Sequence, residues 1–364
     1  MAAASLYDAS REDLAALMAG EPAYRVDQLW QALHQRFTPI DKVTTLPANL
    51  RARLAEDLPE SLVWAAESTD VTGETVKFLW KLRDGGHPIE TVLMLYPDRA
   101  TVCVSTQAGC AMACGFCATG QAGFNRHLSA GEIIEQVVRA ARRAAEMKRR
   151  VSNIVFMGMG EPLANEVAVH TAVRRIHDDI GISARHLTVS TVGIIPGIRQ
   201  LATWPLPVNL AVSLHAARDD LRNELVPINK RYPLDALIEA CAEYLTERRR
   251  RVSFEWALID RVNDTRRDAD ELARLCKRLT PHAHVNLIPL NPTPGWPTRG
   301  SSAARVREFA DTLASLGVNA TIRRNRGTDI DAACGQLAAG QQITPVTFSA
   351  GTSGSRREPS PPPS

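Results

Sequence analysis

The first part of the chain has apolar residues at helical spacing. Ser10 stands where it can cap a helix, and apolar residues recur along one helix face over residues 24–37 and again over 50–58. This region contains no metal-ligand or nucleophile spacing, so its aromatic residues are most simply core. The pattern predicts a small helical accessory domain over residues 1–65.

The period of the apolar positions changes after this helical region. Residues 75–82, 89–96 and 100–105 alternate or run apolar between turn residues, which is typical of antiparallel strands. We therefore predict a short β extension over residues 66–105 that leads into the next part of the chain.

Apolar strands and helical segments then alternate to about residue 340. Besides the strand over 100–105, the candidate strands cover residues 153–157, 186–190, 208–214, 252–258 and 284–289. Helical patterns separate them, and a last strand over 318–323 precedes a helix-like segment over 330–337. Six β/α units predict an α/β fold with an open, partial (β/α)6 barrel over residues 100–340. Residues 341–364 have the Pro/Ser-rich composition of a disordered tail.

Composition narrows the class of protein. A hydrophobic content of 45% and a charged content of 23% are ordinary for a globular protein. No apolar run approaches about 20 residues and no signal-peptide pattern opens the chain, so we expect a cytoplasmic protein without a membrane segment. Seven cysteines, three of them clustered, do not resemble a secreted disulfide framework.

The charge of the chain gives only a weak indication of nucleic-acid binding. The net charge is only +3, but basic residues gather in three runs, at 139–150, 248–251 and 323–326. The first two runs are explained equally well as solvated helix ends. The third lies close in sequence to Cys334 and is the stronger candidate for a nucleic-acid contact.

Three cysteines within eight residues carry the clearest chemistry. Cys110, Cys114 and Cys117 stand in a glycine-rich loop after the first barrel strand. Closely spaced thiolates suit a soft metal centre, and three ligands would leave one iron of a cubic cluster open. A zinc site with His127 as the fourth ligand is the alternative.

Polar residues also follow the later barrel strands. They are Gly160, Glu161, Ser190, Ser213, His215, Asp260, Asn263 and Asn291. The carboxyl ends of parallel strands meet at one rim of a barrel, so these residues predict one ligand site beside the cysteine loop.

The C-x3-C-x2-C spacing resembles the radical S-adenosylmethionine (SAM) superfamily. Four further segments, at 121–128, 157–163, 224–230 and 326–337, resemble the RlmN family, over roughly residues 20–340. The resemblance implies a [4Fe-4S] cluster on the three cysteines, with SAM chelated at the open iron. It also implies SAM contacts from Gly160, Glu161, Ser190, Ser213, Leu214, His215 and Asn291.

The RlmN family methylates C2 of adenosine in RNA. The resemblance implies an adenosine of 23S ribosomal RNA near the peptidyl-transferase centre and an anticodon-adjacent adenosine in certain transfer RNAs as substrates. It also implies an electron donor such as a flavodoxin or ferredoxin system. Nothing in the chain indicates oligomerisation, so we expect a monomer.

Adenine C2 lies between two ring nitrogens and is not nucleophilic, so it cannot displace the methyl group of SAM directly. The resemblance implies that Cys334 carries the methyl group first, as S-methylcysteine. A second SAM, cleaved reductively, then gives a 5′-deoxyadenosyl radical that takes hydrogen from this methyl group. The resemblance further implies that Glu90 accepts the C2 proton and that Cys103 releases the RNA through a transient disulfide with Cys334.

The residues alone support these roles unevenly. Cys334 lies near the third basic run and a helix-like segment. Such a setting favours ionisation of the thiol to a thiolate and binding of RNA phosphate groups. Cys103 alternates with valines and would be assigned to the core, whereas Glu90 would be an exposed carboxylate. Cys241 and Cys276, on apolar helix faces, are expected to be buried and inert.

Two alternatives remain open. One is a Cfr-type methyltransferase, which modifies adenine C8 with the same cysteine arrangement, although Phe124 and Asn125 before Arg126 favour the C2 family. The other is an RNA-binding module in which the iron–sulfur cluster is structural.

Overall fold

The computed structural model describes residues 5–248, 250–279, 281, 283–293 and 295–340. Its α-helices are α1 Arg11–Leu17, α2 Tyr24–His34, α3 Ala48–Asp57, α4 Ala118–Gln121, α5 Ala130–Glu146, α6 Glu166–Arg175, α7 Ile195–Thr203, α8 Asp219–Leu225, α9 Leu234–Arg248, α10 Arg266–Lys277 and α11 Ala303–Ser315. Its strands are β1 Leu62–Thr69, β2 Thr75–Leu82, β3 Ile89–Leu95, β4 Ala100–Cys103, β5 Gln107–Gly109, β6 Phe124–His127, β7 Val151–Phe156, β8 Leu187–Thr191, β9 Asn209–Ser213, β10 Val252–Leu258, β11 Ala283–Pro289 and β12 Ala320–Ile322. The predicted tail over 341–364 lies outside the described residues.

One mixed sheet organises the chain. Its strand order is β1-β2-β3-β4-β7-β8-β9-β10-β11-β12, while β5 and β6 form a separate hairpin. The strands from β1 to β4 pair antiparallel, and every pairing from β4 to β12 is parallel. The partial barrel of six β/α units and its β extension are therefore confirmed, and β12 is the predicted last strand.

The burial of the strands explains why the sequence revealed them. All of β4 and nearly all of β10 are buried, because helices cover one face of the parallel sheet and the barrel interior covers the other. Such strands appear in a sequence as continuous apolar runs. Between them, Ser129 caps α5 with a reciprocal capping box to Glu132.

The amino-terminal helices pack directly on the barrel. Asp8 accepts hydrogen bonds from the Ser129 hydroxyl at 3.0 Å and from the Gly131 amide at 2.7 Å, at the start of α5. One hydrophobic cluster contains residues of α1 and α2 together with residues of the barrel. The domain limits at residues 65 and 105 stay a prediction. Among the described helices, none combines the length and apolarity that a bilayer crossing requires.

Arginines of the first two basic runs form ion pairs and hydrogen bonds within the protein. Arg139 pairs with Glu60 and Glu135, and Arg143 pairs with Glu67. In the second run, Arg250 donates to the side chain of Asn209, and position 249 lies outside the described residues. These contacts favour the structural interpretation of both runs.

The predicted helix-like segment over 330–337 is wrong. A single 3-10 turn, Thr328–Ile330, is followed by irregular backbone to residue 340. Gly327, Asp331, Gly335 and Ala339 have φ values of 63°, 52°, 85° and 51°, and such left-handed residues interrupt a helix. We call residues 327–340 the Cys334 loop.

Candidate functional site

The three clustered cysteines lie in a loop that the β5–β6 hairpin closes. The amide of Cys110 donates to the carbonyl of Gly123 at 2.7 Å, and the amide of Cys117, which begins α4, donates to the carbonyl of Cys114 at 3.1 Å. All three cysteines line one cavity at the carboxyl ends of the barrel strands, which we call the first cavity.

Gly109 and Gly123 provide a test of this hairpin. Both have a left-handed backbone, with φ values of 79° and 80°. A Cβ on Gly109 would lie 2.0 Å from the carbonyl oxygen of Gly123, whereas one on Gly123 would meet nothing within 4 Å. We expect Gly109→Ala to destabilise the protein by about 3–5 kcal/mol and Gly123→Ala by only about 1–2 kcal/mol, as measured by denaturant unfolding. Equal losses would contradict the hairpin geometry.

The cysteine loop fits a cluster better than a single metal ion. Among the described residues, no group of three or more Cys, His, Asp or Glu side chains gathers as it would around one ion. His127, the fourth ligand of the zinc alternative, is exposed and pairs with Gln107 at 3.0 Å. Burial raises the pKa of Cys110 to about 12, so the iron of a cluster would have to supply the charge that stabilises its thiolate.

Glu161 closes the first cavity beside the cysteines. Its carboxylate accepts hydrogen bonds from the amides of Val192 at 2.8 Å and Leu163 at 3.1 Å. Burial raises the pKa of Glu161 to about 7. A Cβ on the preceding Gly160 would lie 2.5 Å from the Cβ of Gln107, so only glycine fits there.

The later strand ends supply further walls of the first cavity. The Ser190 hydroxyl donates to the carbonyl of Phe156 at 2.7 Å, and Ser213 also lines the cavity. His215 accepts a hydrogen bond at Nδ1 from the amide of Ala257 at 3.0 Å, and burial lowers its pKa to about 3, so its ring is neutral. Leu214 is fully buried between these residues.

Asn263 and Asp260, which follow β10, take different positions. Asn263 donates from Nδ2 to the carbonyl of His215 at 2.8 Å and so braces that residue. Asp260 pairs with Arg299 at 3.4 Å on the surface. Of the two, Asn263 therefore supports the first cavity.

Asn291 connects the first cavity to the Cys334 loop. Its Nδ2 donates to the carbonyl of Cys334 at 3.0 Å, and its Oδ1 accepts from Asn325 at 2.6 Å. The amide of Ala118 donates to the carbonyl of Gly335 at 2.8 Å. The Cys334 loop is therefore fastened to the strand end and to the cysteine loop.

Cys103 and Cys334 meet in a second cavity. Both line it, and Cys334 and Cys117 line the first cavity as well. Cys103 is buried at the end of β4, and its pKa is raised by burial and then by the neighbouring Cys334. Both residues are free cysteines in this structure. The fold thus brings together the two thiols that sequence reasoning could link only by resemblance.

The expectation that Cys334 is in a setting that favours a thiolate is wrong. Its exposed surface lines the two cavities, and enclosure by the protein, followed by the charge of Glu255, raises its pKa. Arg323 acts in the opposite direction but is outweighed. The raised pKa favours the thiol form of Cys334 at neutral pH.

Glu90 is buried, not exposed as the sequence indicated. The residue is only 4% exposed, because the Cys334 loop covers this end of β3. Its Oε1 pairs with Lys77 at 3.0 Å, and its Oε2 accepts from the amides of Ala338 at 3.0 Å and Ala339 at 3.1 Å. Glu90 therefore anchors the carboxyl end of the Cys334 loop.

The mouth of the second cavity is basic and aromatic. The guanidinium groups of Arg99 and Arg326 lie 4.2 Å and 4.3 Å from the ring centre of Tyr96. Arg323 and Arg324 line the same cavity. Such a basic mouth suits nucleic acid, because arginines contact phosphates.

Two functional candidates escaped sequence reasoning. Arg222 is fully buried and donates to the carbonyls of Val192 and Leu214, so it holds the ends of β8 and β9 together. No sequence signal marks it. Glu255 is a buried carboxylate that lines both cavities, and a charged residue in the middle of an apolar strand was a usable signal.

Comparison with known proteins supports this description. The model of the radical SAM superfamily matches residues 104–276. A relative from Parafrankia sp., named "Probable dual-specificity RNA methyltransferase RlmN", is 50% identical over 92% of this chain and 91% of its own. Another, from Myxococcus xanthus, named "Dual-specificity RNA methyltransferase RlmN 1", is 47% identical over 92% of this chain and 94% of its own.

A solved structure agrees with these sequence relatives. The crystal structure of a radical SAM methyltransferase from Sphaerobacter thermophilus superposes with a TM-score of 0.88 and 50% identity, covering 92% of this chain and 99% of that one. The superfamily implies a [4Fe-4S] cluster and the use of SAM. This chain therefore belongs to the RlmN family of radical SAM enzymes, which are dual-specificity RNA methyltransferases.

Proposed function

We propose that the enzyme methylates C2 of adenosine in RNA through an S-methylcysteine at Cys334. The observation that carries this proposal is the position of Cys334, on the wall between the first cavity and a second cavity that also contains Cys103. A methyl carrier must reach both the methyl donor and the RNA, and a residue that lines both cavities can do so.

The first cavity is proposed to hold the cluster and SAM. Cys110, Cys114 and Cys117 would bind the cluster, which, when bound, supplies the electron for reductive cleavage of SAM. The carboxylate of Glu161 would accept the ammonium group of SAM. Gly160, Ser190, Ser213, His215 and Asn291, which line this cavity, would orient the cofactor. The proposed contact from Leu214 rests on the family resemblance, because this residue is fully buried and does not line the cavity.

The second cavity is proposed to receive the target adenosine. Cys334 would present its methyl group there. Once that carbon is bonded to C2, Cys103 would attack the Cys334 sulfur: the S–S bond forms, and the S–C bond breaks with its electron pair left on the carbon, which takes up a proton and frees the methylated RNA. Glu90 is the proposed acceptor of the C2 proton. Because both of its oxygens hold other groups in this structure, that role requires the end of the Cys334 loop to move.

The proposed substrates are an adenosine of 23S ribosomal RNA and an anticodon-adjacent adenosine of certain transfer RNAs. The relatives' description as dual-specificity RNA methyltransferases supports two RNA classes. Because both RNAs are cytoplasmic, the cytoplasm is the proposed location. We propose two SAM molecules per turnover, a flavodoxin or ferredoxin system as electron donor, and a monomeric enzyme.

Nucleoside mass spectrometry tests the proposed position of methylation. The anaerobically reconstituted enzyme, given SAM, a reductant and naked ribosomal or transfer RNA, should produce 2-methyladenosine. Production of 8-methyladenosine instead would favour the Cfr-type alternative. RNA binding without any methylated nucleoside would favour a module with a structural cluster.

Glu161→Gln tests the proposed contact to the SAM ammonium group. Removing the charge of this buried acceptor should weaken SAM binding at least about thirtyfold, or about 2 kcal/mol, while iron content stays unchanged. Because the pKa of Glu161 is about 7, wild-type affinity should fall as the pH drops below 7 and the carboxylate takes up a proton. The variant should lack this pH dependence.

Glu166→Gln is the matched control for this binding measurement. Glu166 lies nearby in sequence, but its carboxylate accepts a hydrogen bond from the indole of Trp204 at 3.0 Å, away from the first cavity. The Glu166→Gln variant should bind SAM with the same affinity as the wild type. Equal affinities for Glu161→Gln and the wild type would contradict the proposed contact.

A further inference from the structure

Glu255 is a buried carboxylate with no role in the steps described so far. It lies in the middle of β10, is 7% exposed, and lines both the first and the second cavity. The thiols on this shared wall are Cys334 and Cys117, and Cys117 is a proposed cluster ligand. Glu255 therefore shares a cavity wall with the sulfur that is proposed to receive the methyl group of SAM.

The hydrogen bonds of Glu255 leave one oxygen available. Its Oε1 accepts from Nδ2 of Asn286 at 2.8 Å, its register partner on the neighbouring strand β11. In the described part of the chain, its Oε2 accepts no hydrogen bond. On the other side, β9 presents Ser213, which does not titrate. One oxygen is therefore held in place, and the other is free to accept a proton.

Glu90 differs from Glu255 in this respect. Lys77 and two backbone amides occupy both oxygens of Glu90, so neither oxygen is open to a further donor. In the present arrangement of the Cys334 loop, Glu255 is therefore the better-placed proton acceptor.

Several charged and titratable groups line a cavity with Glu255. Besides the three named next, the first cavity contains Glu161, His215, Cys110 and Cys114, and the second contains Arg99, Cys103, Arg324 and Arg326. Cys334 lies on its loop, Arg323 follows β12, and Cys117 lies in the cysteine loop, and each lines a cavity with Glu255. Glu255 is the charged neighbour that most strongly raises the pKa of Cys334. Burial raises the pKa of Glu255 too, against the opposing effects of Asn286 and Arg323. A carboxylate in such a site is a stronger base than one in water.

We propose that Glu255 accepts the thiol proton of Cys334 as the methyl group of SAM moves to that sulfur. The bond between Sγ and the methyl carbon forms, and the methyl–sulfonium bond breaks with its electron pair left on S-adenosylhomocysteine. The S–H electron pair stays on Cys334, and the proton passes to Oε2 of Glu255. No oxidant or reductant is needed. The proposal rests on the S-methylation of Cys334 proposed above.

Transfer of the proton within the pair avoids a large electrostatic cost. The thiolate is the nucleophile, yet Cys334 is held as a thiol in this enclosed site. Ionising it alone would add a second negative charge beside Glu255. Passing the proton to Glu255 leaves the net charge of the pair unchanged, which matters where solvation is poor.

Glu255→Gln tests the proposal, because glutamine keeps an oxygen for Asn286 but cannot act as the base. Protein produced without the cluster is reconstituted anaerobically and given SAM with a deuterated methyl group but no reductant. Labelling of the Cys334 peptide is followed by mass spectrometry. We expect Glu255→Gln to be labelled about a hundredfold more slowly than the wild type at pH 7. The difference between the two labelling rates should become smaller towards pH 9, because the thiol then ionises by losing its proton to solvent.

A second readout uses cluster-free protein. Alkylation of Cys334 by iodoacetamide in a solvent-filled cavity needs only the thiolate, so removing the Glu255 charge should make it faster at neutral pH. The base role thus predicts opposite changes, slower methylation and faster alkylation. If Glu255→Gln speeds both reactions, or leaves methylation unchanged, Glu255 only modulates charge and the proposal is overturned.

Two variants complete the design. Glu255→Asp keeps a carboxylate and should methylate faster than Glu255→Gln at pH 7; equal slowing of the two at every pH would also overturn the proposal. Glu135→Gln, at a buried carboxylate that binds the amides of Ser61 and Leu62 outside both cavities, should methylate like the wild type. A wild type that never labels Cys334 would instead refute the proposed function itself.

Discussion

Cys334→Ala should abolish RNA methylation, with a loss of at least about a thousandfold, the scale seen when a covalent nucleophile is removed. Without the thiol there is no group to carry the methyl between the first and second cavities. Reconstituted variant and wild-type enzyme can be compared by the methylated nucleoside that each forms per hour. Iron content and SAM affinity should stay unchanged, because Cys334 is not among the proposed cluster ligands.

Cys276→Ala is the control for this loss. Cys276 is 2% exposed on α10, and burial raises its pKa to about 12, so it is an inert core thiol, like Cys241. Its removal should cost about 1 kcal/mol of stability and no methylation activity. Full methylation activity of Cys334→Ala would contradict the carrier mechanism.

Cys103→Ala should trap RNA on the protein. The RNA would reach the adduct with the Cys334 sulfur, but the thiol that shares the second cavity would no longer be there to attack that sulfur. We expect a slowly migrating species on denaturing gels that nuclease treatment collapses, and a loss of multiple turnover.

The double variant Cys103→Ala/Cys334→Ala is the matched control for the trapped species. It lacks the sulfur that would bind the RNA, so it should show no shifted band under the same conditions. A clean gel for Cys103→Ala alone would argue against its resolving role. A shifted band in the double variant would mean that RNA attaches to some other residue.

The barrel was predictable because its strands are buried on both faces. Strands such as β10 are mainly apolar runs, and the helix cap at Ser129 marks the start of α5. The rim position of Glu161 and Asn291 followed from the rule that carboxyl ends of parallel strands share one edge. These features depend on local pattern alone.

The Cys334 loop was not predictable in this way. Its apolar residues gave a helix-like pattern, but left-handed residues such as Asp331 and Ala339 keep it irregular. That irregular path exposes two amides to Glu90 and places Cys334 between the cavities. A long-range arrangement of this kind has no signature in residue spacing.

The ionisation of Cys334 shows why neighbours in sequence can mislead. Three arginines precede the residue within the third basic run, yet enclosure and the charge of Glu255, from a distant strand, determine the direction of its pKa. The three arginines are visible in the sequence, whereas the proximity of the Glu255 carboxylate to Cys334 is visible only in the folded structure. Arg326 instead pairs with Glu74 at 2.7 Å and lies against Tyr96.

The most direct test of the account is to follow one labelled methyl group. Enzyme loaded with deuterated-methyl SAM, freed of excess cofactor and then given RNA, unlabelled SAM and reductant should first show label on the Cys334 peptide. The labelled carbon should then leave that peptide and appear in 2-methyladenosine of the RNA in equal molar amount, with two of the three deuterium atoms kept in each methyl group because the 5′-deoxyadenosyl radical removes one. Labelled RNA that forms while Cys334 never carries the label would contradict the central claim that this cysteine is the methyl carrier.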